Sequence, residues 1–359
     1  MSIMKSKKVA GYLFSALMLT CFQQATAQTT YNGSVAKPQG QPMRDMAGMA
    51  PKCDNQGRWD IWADFLWWSS NLNNVTGFEA EQNTAGAETD VKVHLKRPGS
   101  HWDPGVRVGL GWNTGYDNWD IQGYWTYFYN SSKKGESPAS FETNEVESLF
   151  GEGHAKARLR YNAADFEIGK SYYVSRHFFI RPFTGFHAIW TSLHTSFDYD
   201  SAASATVNFP FASTGLINQP LSVTSSGASD ADVNLDIDTW GVGPKIGVNT
   251  NWGNFRGFSL VGNISTSLLY GKLMGKAKFD IDSATDIDVR VRDHEYWQVM
   301  PTLQMFYGLS YACCFAHGQN QFRISAGWES NFIWEAANFF LYDKPISMQG
   351  LTVDLRFDF

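Results

Sequence analysis

Beyond its amino-terminus the chain has no continuous apolar run of the roughly 20 residues a membrane-spanning helix requires, so a helical membrane protein is excluded. Charge is sparse as well. Only 18% of residues are charged and the net charge is −6, which leaves no basic footprint for nucleic acid. The eight histidines are scattered without metal-ligand spacing, so neither a metal site nor a cofactor is expected. No serine, histidine and aspartate arrangement can be argued from spacing, and an enzyme is not expected. Gly241-x-Gly243 with Lys245 suggests a phosphate loop, but no helical pattern follows it, and the strand reading wins.

Cysteine is scarce too. Of four residues, Cys21 falls in the leader, leaving Cys53, Cys313 and Cys314. The odd number leaves one thiol over, or one for another chain. Neighbouring cysteines seldom bond each other, because the geometry is strained.

The amino-terminus reads as an export signal. Lys5, Lys7 and Lys8 precede an apolar stretch, Val9 to Thr20, and Ala25-Thr26-Ala27 is a small-residue cleavage site. A lipoprotein signal ending at Cys21 is the rival, but Thr20 is a poor residue before a lipidated cysteine. The expected organisation is a signal peptide over 1–27, a flexible periplasmic segment over 28–56, and one β domain over 57–359. Met43, Met46 and Met49 in the flexible segment are spaced for soft-metal binding, but read better as apolar flecks in a mobile tail.

What the chain has in quantity is aromatic side chains, 14 Trp, 15 Tyr and 26 Phe, in alternating segments. The closing one is faultless. Leu351, Val353, Leu355, Phe357 and Phe359 share one face; Thr352, Asp354, Arg356 and Asp358 share the other. Similar alternation begins near Arg58, Val106, Trp119, Ala157, Ile180, Trp240, Phe258, Val299 and Phe322. The connections alternate between long polar stretches (about 71–100, 131–153, 195–236 and 272–294) and short turns. Most strands carry roughly 9–11 alternating residues, enough to cross a bilayer when tilted. The predicted fold is all-β: a transmembrane antiparallel up-and-down barrel of about ten strands (twelve is the alternative count), with short periplasmic turns and long extracellular loops. A soluble sandwich could also end on such a strand. It would not need an apolar face on every strand, with Trp and Tyr near the ends.

Two irregularities stand out. The apolar phase slips near Ala163-Ala164, which suggests a β-bulge, and Pro182 inside a strand calls for another.

The polar faces carry Asp60, Asp64, Arg107, Asp120, Arg158, Arg160, Asp165, Glu167, Arg181, Lys245, Arg323, Glu329, Asp354, Arg356 and Asp358. Arg or Lys facing hydrocarbon costs about 2–4 kcal/mol at the bilayer midplane, so these residues are expected to line the lumen. Inward glycines such as Gly109, Gly111, Gly241, Gly243, Gly247 and Gly327 leave space; inward Tyr124, Phe128 and Phe183 fill it. The pattern alone leaves two interiors open. One is a narrow diffusion pore for small hydrophilic solutes. The other is a plugged barrel acting as a structural or adhesive surface protein.

Five short motifs, in order, carry a resemblance: Asn162-Ala-Ala-Asp-Phe-Glu-Ile-Gly-Lys170, Ile180-Arg-Pro-Phe-Thr-Gly-Phe186, Trp240-Gly-Val-Gly-Pro-Lys-Ile-Gly247, Ser267-Leu-Leu-Tyr-Gly271 and Ser347-Met-Gln-Gly-Leu-Thr-Val353. They resemble the Legionella-type major outer-membrane proteins, with relatives in chlamydia-like bacteria. The resemblance spans about Trp59 to Phe359. It implies an abundant, surface-exposed, porin-like barrel, sometimes cysteine cross-linked or oligomeric, with no catalytic residues to carry over. It raises the porin reading above the plugged one. Expected partners are outer-membrane lipid and lipopolysaccharide, the barrel-assembly machinery, and a homo-oligomer or disulfide-linked complex. Phe359 is the candidate assembly signal. A bridge from Cys53 to Cys313 or Cys314 is expected on the periplasmic side.

Overall fold

The computed structural model describes residues 59–71, 101–136, 152–200 (apart from 176), 230–282 (apart from 256), 296–315, 320–337 and 345–359, with short strand pieces between them. The expected signal peptide and amino-terminal segment lie outside the described residues.

Ten strands form the wall. They are β1 (Trp59–Asn71), β2 (Trp102–Asn113), β3 (Trp119–Glu136), β4 (Glu152–Lys170), β5 (Phe178–Asp200), β6 (Asp230–Phe255), β7 (Phe258–Asp282), β8 (Tyr296–Phe315), β9 (Asn320–Ile333) and β10 (Ile346–Asp358). Each pairs antiparallel with its sequence neighbours. β1 pairs β10 and closes the ring, with Asp60 opposite Asp358 and Asp64 opposite Asp354. Closure satisfies every edge, which lipid demands of a spanning sheet. A short piece, Ile287–Arg292, adds to β7 outside the ring.

The strands are unequal. β1 and β10 have 13 residues each, whereas β5, β6 and β7 have 23, 26 and 25. Three of the polar stretches expected as long loops (131–153, 195–236 and 272–294) are largely strand where described, and the first, 71–100, lies mostly outside the described residues. β3 to β7 run on into the three, and residues 139–142, 146–150, 204–209 and 221–226 form a separate four-stranded sheet. The sequence misled here because those stretches lack an apolar outer face. Outside the hydrocarbon none is needed.

At the opposite end the turns are tight. Between β2 and β3, Gly115, Asp117 and Asn118 take positive φ values of 71°, 49° and 59°. Small polar residues and glycine tolerate this conformation. The Thr114 amide donates to the Trp119 carbonyl at 3.0 Å, and Asn113 Oδ1 accepts from the Gly115 amide at 3.0 Å.

Neither expected bulge exists. β4 keeps one register against both neighbours through Ala163-Ala164. Its inward set runs unbroken through Ala157, Leu159, Tyr161, Ala163, Asp165 and Glu167, all buried. The chemistry of the faces swaps, not their parity. Pro182 pairs with Val248 in unbroken register. On its other edge the ladder leaves out Arg181 and Pro182, resuming at Phe183 opposite Gly169, and the irregularity on that edge falls earlier, between Phe178 and Phe179. Proline has no N–H to offer, and a skipped rung accommodates that without a bulge.

The outward apolar residues form a belt. Phe186, Ile246, Ile264 and Leu268 are exposed in its middle. Aromatic pairs mark both rims: Trp59 stacks on Trp112 at 6.0 Å, and Tyr270 stacks on Trp297 at 5.2 Å. This is the girdle arrangement of membrane barrels.

Candidate functional site

The candidate site is the interior, which has two unlike halves. Beside the tight turns lies a cavity of about 380 Å³, lined by charged and amide side chains from all around the ring. Among them are Asp60, Asp64, Arg107, Asp120, Arg181, Arg323, Glu329, Asp354, Arg356 and Asp358. Strict alternation brings them there. Each sits on the parity opposite the belt.

The cavity ends on a floor of ion pairs. Arg107 Nη2 donates to Glu329 Oε1 at 2.6 Å, and Nη1 donates to Asp64 Oδ2 at 2.9 Å. Its Nε donates to Thr126 Oγ1 at 3.0 Å. The guanidinium also lies 5.7 Å from the centroids of both Trp68 and Tyr124. Beside it, Arg181 Nε donates to Asp120 Oδ1 at 2.9 Å, and Nη1 donates to Glu167 Oε2 at 3.1 Å. Lys245 Nζ reaches Tyr124 Oη at 2.6 Å, Asp165 Oδ1 at 2.8 Å and Glu167 Oε1 at 3.1 Å. His187 Nδ1 is 2.7 Å from Asp165 Oδ1. Lys245 is only 1% exposed. A buried ammonium is tolerable here because three oxygens surround it and two carboxylates offset its charge.

Beyond the floor the interior is mostly apolar, with Ser70, Asn130, Thr191, Thr195 and Thr239 buried among the hydrocarbon side chains. Leu66, Trp68, Phe128, Leu159, Ile189, Leu193, Ile237, Leu269, Leu273 and Met300 are all 2% exposed or less. Trp68 and Phe128 rings lie 5.6 Å apart, and the Trp68 indole donates to Thr352 Oγ1 at 3.0 Å. These buried side chains occupy that half of the interior.

Most of the charges expected in the lumen point inward. Asp60, Asp64, Asp120, Arg181, Lys245, Glu329 and Asp358 are buried, and Arg107, Arg323, Asp354 and Arg356 are partly so. Arg356 pairs with Asp60 and lies over the Trp62 ring at 4.8 Å. Arg323 lies 3.9 Å from Asp358. Arg158 and Arg160 are a correction. They alternate with buried Leu159 and Tyr161 and stand on the outer face. Their strand has left the hydrocarbon by then, so charge outside is no longer penalised.

The inward glycines also differ from expectation. They leave no space. A Cβ on Gly109 would meet the Trp62 ring at 2.2 Å, and one on Gly111 would meet Asp60 Oδ1 at 2.4 Å. Gly109, Gly111, Gly241 and Gly247 make room for the side chains of Trp62, Asp60, Met300 and Phe183, whereas Gly243 and Gly327 lie against neighbouring backbone. Tyr124, Thr126, His187 and Thr352 are network members that the charge-led reading passed over. Their inward parity was the available signal.

Cys313 is buried beside Tyr311, Phe322 and Ile324 near the turn end of β8. Cys53 and the Cys314 side chain lie outside the described residues. The Phe359 amide donates to the Trp59 carbonyl at 3.0 Å, tying the carboxy-terminus to the start of β1.

A family model described as Legionella pneumophila major outer membrane protein precursor matches residues 51–359. No curated protein matches. Solved structures with similar folds include the outer membrane protease OmpT from Escherichia coli, at 10% identity and a TM-score of 0.35, covering 87% of this chain and 99% of that one. A Pseudomonas aeruginosa FadL homologue aligns at 9% identity and a TM-score of 0.27, covering 85% and 90%. The toluene transporter TbuX of Ralstonia pickettii aligns at 10% identity and a TM-score of 0.28, covering 84% and 89%.

Proposed function

This chain is an outer-membrane β-barrel belonging to the Legionella pneumophila major outer membrane protein family, and from that premise we propose that it works with its lumen closed, as a structural barrel that carries extended strands to the cell surface. The observation behind this reading is the doubled barrier. A floor of mutually paired ions is backed by an apolar layer whose largest members, Trp68 and Phe128, are fully buried. A solute would have to break several buried ion pairs and then cross packed hydrocarbon. Breaking a single buried pair costs about 3–5 kcal/mol. Larger barrels conduct because their walls stand too far apart for side chains to meet, and ten strands fall well short of that width.

A second reading has its own support. The periplasmic half holds a charged cavity of about 380 Å³, half of a passage already made. A narrow, gated channel for small hydrophilic solutes would use it as a vestibule. Planar-bilayer recording of the purified barrel separates the two. A silent bilayer, with the protein folded and heat-modifiable on gels, supports the closed barrel. Stable unitary steps that persist in symmetric salt would overturn it in favour of the channel. The reading assigns no chemical step to the interior.

A further inference from the structure

The two arginines that left the lumen belong to a patch with no ion-pair partner among the described residues. Descending β4 on its outer face, the residues are Lys156, Arg158, Arg160, Asn162, Ala164, Phe166 and Ile168. On β3, Lys133 stands directly opposite Lys156, Ser131 opposite Arg158, and Tyr129 opposite Arg160. Same-face residues on a strand are about 6.6 Å apart, so four cations fall within about 15 Å. None of the four pairs with an acidic group. On the β5 side they stand opposite Ser196, His194 and Ser192; His194 is taken by Asp236, and Asp198 stands one same-face position beyond Ser196, opposite His154.

Like charges directly opposite each other on a sheet are destabilising. The neighbouring outer face shows the usual remedy. On β6 and β7, Asp236 stands opposite Lys276, and Lys278 donates to Asp280 at 2.6 Å. The β3–β4 patch lacks that remedy, and its height says what replaces it. Trp190 of the belt's rim is opposite Asn162, so Arg160 is the first outward position above the rim. That is headgroup depth on the extracellular side.

We propose that this patch is a binding site for the phosphate groups of outer-leaflet lipopolysaccharide. Two guanidinium forks suit bidentate contact with phosphate oxygens, and two ammonium groups supply point charge beside them. The rim residue Trp190 lies just below, where the glycolipid's acyl chains begin, and Tyr129 stands level with Arg160. The inference needs only the outer-membrane setting and is independent of whether the lumen conducts.

The test uses the refolded barrel in nanodiscs of zwitterionic phosphatidylcholine. Purified lipopolysaccharide with a doubly phosphorylated lipid A is titrated in, and retained glycolipid is counted by native mass spectrometry. The expected result is salt-sensitive binding that Arg158→Ser/Arg160→Ser weakens about 10-fold or more, since each basic group near an anionic surface contributes appreciably. Lys276→Ser/Lys278→Ser, on the charge-balanced face, should change it less than about 2-fold. Enzymatically dephosphorylated lipopolysaccharide should bind as weakly as the arginine variant. If the double arginine variant does not fold, Lys133→Ser/Lys156→Ser takes its place with the same expectation. Equal affinity of native and variant proteins overturns the site. So does equal competition by phosphatidylglycerol, which would reduce the patch to general attraction for anionic lipid.

Discussion

Replacing Arg107 with methionine tests the ion-pair floor most directly. The side chain is nearly the same length and keeps its contact with Trp68, but its four donated bonds vanish: one to Thr126, one to Asp64 and two to Glu329. Asp64 and Glu329, each 5% exposed, are left facing each other without their cation. Asp354, directly opposite Asp64 in the β1–β10 register, adds a third carboxylate. Breaking a buried pair this way costs about 3–5 kcal/mol. Glu329 retains hydrogen bonds from Thr352 at 2.9 Å and Asn331 at 3.3 Å, which favours the lower end. Urea unfolding of barrel refolded into micelles, followed by tryptophan fluorescence, gives the number. Adding Glu329→Leu to the variant removes one stranded carboxylate. The double substitution should therefore cost less than the sum of the singles by about 2 kcal/mol. A loss below about 1 kcal/mol for Arg107→Met would refute the reasoning. The cluster would then behave like an exposed pair, already solvated, and the floor would not be a barrier.

Gly109→Ala should abolish the heat-modifiable folded form, because the new methyl meets the Trp62 ring; Gly109→Ala combined with Trp62→Leu should restore it, as seen on unboiled gels. Deleting Phe359 removes the hydrogen bond to Trp59 and the last belt residue, and should lower the amount reaching the outer membrane by cell fractionation. Normal levels would remove its role as an assembly signal. Non-reducing gels should show faster migration than reduced ones if Cys53 bridges Cys313 or Cys314, and a Cys53→Ser variant should lose that difference. A disulfide-linked dimer band would instead favour the intermolecular bond.

Parity was the part of this protein best written in its sequence. A residue such as Asp64 or Lys245 can be assigned to a face by counting twos from the belt, and the register agrees. Height was not written so plainly. Arg158 and Arg160 have the chemistry of lumen residues. Only their position above Trp190 shows that the hydrocarbon has ended and the rule has inverted. The same boundary disguised the upper halves of β6 and β7 as loops. The filled interior was missed for a different reason. Leu66, Trp68 and Phe128 made both faces of their strands look apolar, and volume across a lumen depends on which residues meet. Gly109 and Trp62 are 47 positions apart and complementary only once β1 and β2 pair.

The inequality of the strands gives the cylinder a compass bearing. At about 3.3 Å per residue and the usual tilt, β1 rises little further than the bilayer's hydrocarbon, while the 26 residues of β6 reach roughly twice as high. An evenly walled barrel offers the same flank to every neighbour. This one has a high quarter of hydrogen-bonded ribbon and a low quarter where the chain's two ends meet. Molecules drifting in from the medium, and proteins crowding alongside, can therefore tell one azimuth from another.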